Sequence, residues 1–186
     1  MGEFRVLASS REGAAPVELE LLPGFDALPS FEENAPTFAE NALGKALYYS
    51  RIEDGKVFAD DSGLVVPALG GAPGVRSARY AGPGASSEER NAKLLRVLQK
   101  SRGAERAAYF VCAIALAEQG RAVAIVTDRV DGEILEAPRG GGGFGYDPVF
   151  YFPKLGKTFA ELSSEEKNRY SHRGKAFRRL LKVTAG

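Results

Sequence analysis

Two adjacent carboxylates, Asp60 and Asp61, close an apolar run (Val57, Phe58, Ala59) and are followed by Ser62 and Gly63. A strand that ends in acids and then turns presents oxygen ligands to a hard divalent cation. A second acid pair, Glu32 and Glu33, lies in a separate loop, and cations follow at Lys45, Lys167, Arg173 and Lys175. Carboxylates that hold Mg²⁺, cations that offset phosphate charge and a positioned water are the requirements of triphosphate chemistry. Phe144-Gly145-Tyr146-Asp147 is an aromatic-glycine turn, and Ser171-His172-Arg173 contains the only histidine of the chain. Together they offer the flat apolar face and the edge-reading donors that a purine base needs.

Each of these groups also has a plainer reading. A Glu-Glu pair is commonly just solvated, an Asp-Asp pair at a strand end commonly caps a turn, and a helical lysine commonly marks the wet face. The glycine run 140–143 lacks the Gly-Lys-Ser/Thr of a phosphate-binding P-loop and reads more simply as a loop. The weight therefore falls on their joint order along the chain.

The elements that must position them are legible in part. Strands are expected over 4–8 and 17–22 around a polar loop, the second alternating apolar and acidic residues. Thr37 and Glu40 form a capping box, and Phe38, Ala42, Leu43, Ala46, Leu47 and Ile52 recur at helical spacing, which predicts a helix over 37–53. Strands are expected at 57–60 and 64–68, and a helix over 86–101 begins at the Ser86/Glu89 capping box. A hairpin of 107–118 and 121–127 turns at Gln119-Gly120, with a further strand at 129–136. Ser163 and Glu166 cap another helix, and an amphipathic basic helix over 176–183 follows. The expected class is mixed α/β (α+β), with helices covering a sheet.

The 186 residues suit one domain, read as 1–186 with two lobes and no separable linker. Lys and Arg total 25 against 24 Asp and Glu, for a net charge of +1, which argues against a nucleic-acid partner. There is no run of 18 apolar residues and no signal-like start, so neither a membrane partner nor secretion is expected. The single cysteine, Cys112, excludes a disulfide framework and a thiolate metal site. A soluble cytoplasmic protein is the expectation.

Four ordered motifs add a resemblance. They are Thr37 to Ala46, the Asp-Asp-Ser-Gly-Leu to Ser-Ala-Arg-Tyr segment ending at Tyr80, Gly143 to Phe150, and Lys167 to Lys175. Together they closely resemble the inosine/xanthosine triphosphate pyrophosphatase family over about residues 30–183. The resemblance implies an elongated mixed β-sheet flanked by helices, two lobes with a nucleotide cleft between them, and a homodimer. It implies Mg²⁺-dependent hydrolysis of ITP, dITP and XTP between the α- and β-phosphates, to the monophosphate and pyrophosphate, with Mn²⁺ as an alternative ion. Asp61 resembles the acid that binds metal and activates water, and Glu33 or its neighbour Glu32 the second metal carboxylate, with Asp60 beside Asp61 in the same role. Lys45 and Lys167 resemble phosphate-binding lysines, and Ser62 a substrate contact. Phe144 to Asp147 resembles the base pocket, with Phe144 stacking on the purine, and His172 and Arg173 the pair that reads its 6-oxo group.

The N-terminus departs from the family pattern. Where members carry a Thr/Ser-x-Asn-x-x-Lys loop on the triphosphate, this chain has Ser9-Ser10-Arg11-Glu-Gly-Ala14, with Arg11 for the Asn and Ala14 for the Lys. Ser9, Ser10 and Arg11 remain substrate-binding candidates. The altered loop supports one rival reading, a nucleotide-binding protein with weakened or lost catalysis.

Overall fold

A computed structural model of the chain describes Phe4 and residues 18–184, except the side chain of Asp26. In chain order it forms helix α1 (Phe38–Tyr49), strand β1 (Lys56–Val65), helix α2 (Ser87–Val97) and strands β2 (Ala107–Glu118) and β3 (Arg121–Ile134). Short strands β4 (Phe150–Phe152) and β5 (Lys157–Thr158) follow, then helices α3 (Ser164–Tyr170) and α4 (His172–Thr184). The five strands make one sheet in the order β1-β2-β3-β4-β5, with β4 antiparallel to both β3 and β5. This is the expected mixed α/β architecture.

The chain divides into two compact units, one of residues up to 61, 112–128 and 172 onward, the other of 62–111 and 129–171. In the first unit strand β2 is buried on both sides, and its two faces differ in size. Cys112, Ile114 and Leu116 pack with Phe177, Leu180 and Leu181 of α4, with Phe4 and with Phe58. The alternate residues Ala113, Ala115 and Ala117 pack with Ala42 and Ala46 of α1 and with Ala59. Side chains alternate along a strand, so one face is built of large residues and the other almost wholly of methyl groups. In the second unit Phe110, Phe150 and Phe159 form the centre of an aromatic core, with ring centroids 4.5–5.7 Å apart.

Local signals hold well. Thr37 Oγ1 accepts from the Glu40 N–H at the start of α1, and full capping boxes open α2 at Ser86/Glu89 and α3 at Ser163/Glu166. Gln119 and Gly120 take positive φ of 47° and 73°, which suits the two-residue turn joining β2 to β3. Several boundaries differ from expectation. Helix α1 stops at Tyr49, where Ser50 turns its hydroxyl to the Leu47 carbonyl and accepts from the Gly120 N–H. Strand β3 runs unbroken through Asp128, which has the ion-pair partners Lys175 and Arg179 from α4. Helix α4 begins at His172, because Gly174, a helix breaker by propensity, is buried in its first turn. Residues 18–22 form no strand; of the strand expected over 4–8, Phe4 is helical and the rest lies outside the described residues.

The largest difference concerns the acid pair. The expected break at Ser62-Gly63 is absent, and β1 continues through Asp60, Asp61, Ser62 and Gly63 to Val65. Leu64 just beyond is fully buried, and its N–H is received by Ser77 Oγ at 2.9 Å. Tertiary packing thus keeps the strand extended where polar residues and a glycine suggest a turn.

Candidate active site

Because β1 does not turn, Asp60 and Asp61 point to opposite faces of the strand. Asp60 shares the face of Phe58 and meets α4, where Arg173 Nε lies 3.2 Å from its Oδ2. Asp61 shares the face of Ala59 and meets α1, where Asn41 Nδ2 donates to its Oδ2 at 2.9 Å. Both carboxylates are half-buried.

Helix α1 also receives the acidic loop before it. Lys45 stands one turn beyond Asn41, on the same face, and forms an ion pair with Glu33. The loop is laid along the helix by further contacts. Tyr49 Oη donates to the Pro29 carbonyl at 3.2 Å and accepts from the Phe31 N–H at 3.3 Å. The Phe31 ring lies 5.9 Å from that of Tyr48 and covers Gly44 so closely that an added Cβ would stand 2.6 Å from its edge. That contact explains a glycine in the middle of a helix. Glu33, half-buried on Lys45, is the member of its pair drawn to the helix; Glu32 is exposed and accepts from the Asn34 side chain at 2.9 Å. Among the described residues no three His, Cys, Asp or Glu side chains gather to hold a metal ion.

The second unit holds the aromatic group. Asp147 is 2% exposed, and its Oδ2 accepts from the Phe144 N–H at 2.7 Å and from Lys167 Nζ at 2.5 Å. A buried carboxylate is tolerable only with such compensation. Lys167 Nζ also lies 4.1 Å from the centroid of the Phe144 ring, which is otherwise 54% exposed. Lys167 thus stands beside the aromatic turn. Gly143, at φ 73°, leaves the space its Cβ would need to the Asp147 carboxylate. Gly145 offers its carbonyl to Asn91 Nδ2 at 3.0 Å, and the buried Tyr146 donates from Oη to the Ser77 carbonyl at 2.9 Å. Burial pushes the Tyr146 phenol above its ordinary range. Within the glycine run, Gly142 N–H bonds the Ala160 carbonyl at 3.0 Å, and Gly140 packs on the same backbone.

The structure therefore places Asp61 with Asn41, Glu33 with Lys45, Asp60 with Arg173, and Asp147 with Lys167 and Phe144. Ser62 is half-buried in β1, and His172 is buried at the start of α4. Ser9, Ser10 and Arg11 lie outside the described residues. Asn41 was not singled out by sequence reasoning. Its signal was available: it adjoins the core positions Ala42 and Ala46 and stands four residues before Lys45.

Comparison with known proteins agrees with these motifs. A model of the Ham1 family matches residues 2–183. A dITP/XTP pyrophosphatase of Geobacillus kaustophilus is 53% identical over 178 residues, covering 96% of this chain and 85% of the relative. One from Thermus thermophilus is 53% identical over 174 residues, covering 93% and 84%. A solved HAM1 protein from Coxiella burnetii aligns at a TM-score of 0.87 with 39% identity, over 99% of this chain and 92% of that one.

Proposed function

Because this chain belongs to the Ham1 family, we propose that it hydrolyses deaminated purine nucleoside triphosphates (ITP, dITP and XTP) to the monophosphate and pyrophosphate, clearing them from the nucleotide pool. The substrate class is supported by relatives about half identical to it, which are named dITP/XTP pyrophosphatases. One observation carries the residue roles: one face of α1 holds Asp61 through Asn41 and Glu33 through Lys45, a single turn apart. Asp61 takes the proton of the attacking water. Lys45 leaves Glu33 for the triphosphate and offsets charge that builds on the leaving pyrophosphate. Ser62 adds a substrate contact.

The donor set fits Mg²⁺. Glu33, from the loop before α1, and Asp61, from β1, bring two carboxylates to one face of α1 through Lys45 and Asn41. Mg²⁺ is commonly held in this way, by one or two carboxylates with phosphate oxygens and water completing its shell. When bound there the ion supplies Lewis-acid polarisation of the phosphoryl oxygens, and Mn²⁺ suits the same oxygen donors. Asp60, turned toward Arg173, and the exposed Glu32 stand outside this pair.

Phe144 offers its ring to the purine, with Asp147 and Lys167 shaping the pocket beside it. By the family resemblance, His172 and Arg173 of the first unit are the donors for a 6-oxo group. An adenine would set its 6-amino donor against them, and leaving a buried donor unpaired costs about 1–3 kcal/mol, or roughly tenfold to hundredfold in selectivity. A homodimer in the cytoplasm completes the proposal.

The test is pyrophosphate release from ITP with Mg²⁺, beside ATP, GTP and the Asp61→Asn variant. The expected result is release selective for ITP that falls about 10²- to 10⁴-fold in the variant, the range of a lost general base. Binding of ITP without release would instead establish the catalytically silent nucleotide binder.

A further inference from the structure

The geometry points to Asn41 as a positioning residue that sets the Asp61 carboxylate and the Glu33 loop in register with each other. The inference rests on the reaction proposed above. Asn41 is 1% exposed, and its side-chain hydrogen bonds lead to these two places. Its Oδ1 accepts from the Ala35 N–H at 2.9 Å, and its Nδ2 donates to the Ala35 carbonyl at 3.4 Å. The same Nδ2 group donates to Asp61 Oδ2 at 2.9 Å. Ala35 is two residues from Glu33, so one amide ties the loop carrying the first carboxylate to the second carboxylate itself.

No other side chain of this size satisfies all these partners. The Ala35 N–H needs an acceptor while its carbonyl and Asp61 need donors, so the amide can point only one way. Aspartate would offer no donor and would face Asp61 with a like charge. Leucine has the same branched shape with bulkier ends and makes none of the bonds. Such outer partners hold a reacting carboxylate in its productive orientation, and their loss commonly costs about 10- to 100-fold in activity or metal affinity.

A double-mutant cycle tests the assignment in the full chain: parent, Asn41→Leu, Asp61→Asn and the double variant, assayed by pyrophosphate release from ITP with Mg²⁺. Asn41→Leu is expected to lower kcat about 10- to 100-fold while KM stays within about threefold, because the lost contact acts on the transition state. In the Asp61→Asn background the same substitution should change the residual rate by less than about threefold. A kcat within threefold of the parent, or a full loss that persists without Asp61, overturns the assignment. If Asn41→Leu does not fold, Asn41→Ser carries the same cycle. Hydrogen exchange at the Ala35 amide gives a readout independent of turnover and should quicken at least about tenfold in either Asn41 variant. If the parent releases no pyrophosphate, the proposed reaction fails, and exchange at Ala35 decides this inference alone: unchanged exchange overturns it.

Discussion

Replacing Gly44 by alanine should separate stability from activity. Alanine is favoured over glycine inside a helix by about 1 kcal/mol. Against that gain, the new methyl would stand 2.6 Å from the edge of the Phe31 ring, whereas ordinary contact begins at 3.4 Å. The ring must retreat by about 1 Å, weakening its contact with Tyr48 (about 0.5–1.5 kcal/mol) and straining the Phe31 N–H to Tyr49 bond (about 1 kcal/mol). The costs sum to about 1.5–2.5 kcal/mol against a gain of about 1 kcal/mol, so the folded state should lose about 0.5–1.5 kcal/mol. Glu33, two residues beyond Phe31, moves with the loop. A displacement of about 1 Å at a reacting group can cost about 100-fold in rate, equivalent to about 2.7 kcal/mol in the barrier. The assay is thermal unfolding alongside kcat for ITP hydrolysis. A kcat within threefold of the parent refutes the reasoning, as does a rate loss accompanied by a stability loss of several kcal/mol. A Phe31→Ala background provides the internal control, since Gly44→Ala should then have no further effect on rate.

Two other expectations follow from the second unit. Lys167→Met leaves the 2%-exposed Asp147 with the Phe144 N–H and without its cation, and should cost about 3 kcal/mol by denaturant unfolding, with a raised KM for ITP; an unchanged midpoint would show that the pair contributes nothing. The Tyr146 phenol titrates higher in the folded protein than in the unfolded chain because it is buried. Its contribution to stability is therefore complete below about pH 10, where the unfolded phenol is protonated, and is lost as pH rises beyond that. Tyr146→Phe should flatten the alkaline fall of the unfolding free energy, and an unaltered slope above pH 10 would contradict this.

The features legible in the sequence are mostly local. Thr37, Ser86 and Ser163 announce their helices because capping is settled within four residues. Gln119-Gly120 announces its hairpin for the same reason. The acid types at Asp61 and Glu33, and the aromatic turn at Phe144, stand out in the sequence as candidates for chemistry. Misread features depended on distant partners. Ser62-Gly63 looks like a turn until Ser77, thirteen residues on, receives the Leu64 N–H. Gly174 looks like a helix boundary until its burial in α4 is seen. Asn41 looks like a poor helix former, and its use emerges only when Ala35 and Asp61 are brought to it from either side.

The contrast between the two faces of β2 bears on how reliably the site is assembled. A slip of β1 by one residue would still present an aspartate to α1, since Asp60 would take the place of Asp61. The same slip would drive the Phe58 ring into the layer of Ala113, Ala115 and Ala117, where no space of that size exists. It would also withdraw that ring from Phe4 and Phe177, 5.6 and 5.7 Å away. The alanine layer thus works as a mechanical key, admitting only the threading in which each of two chemically identical neighbours reaches its own helix.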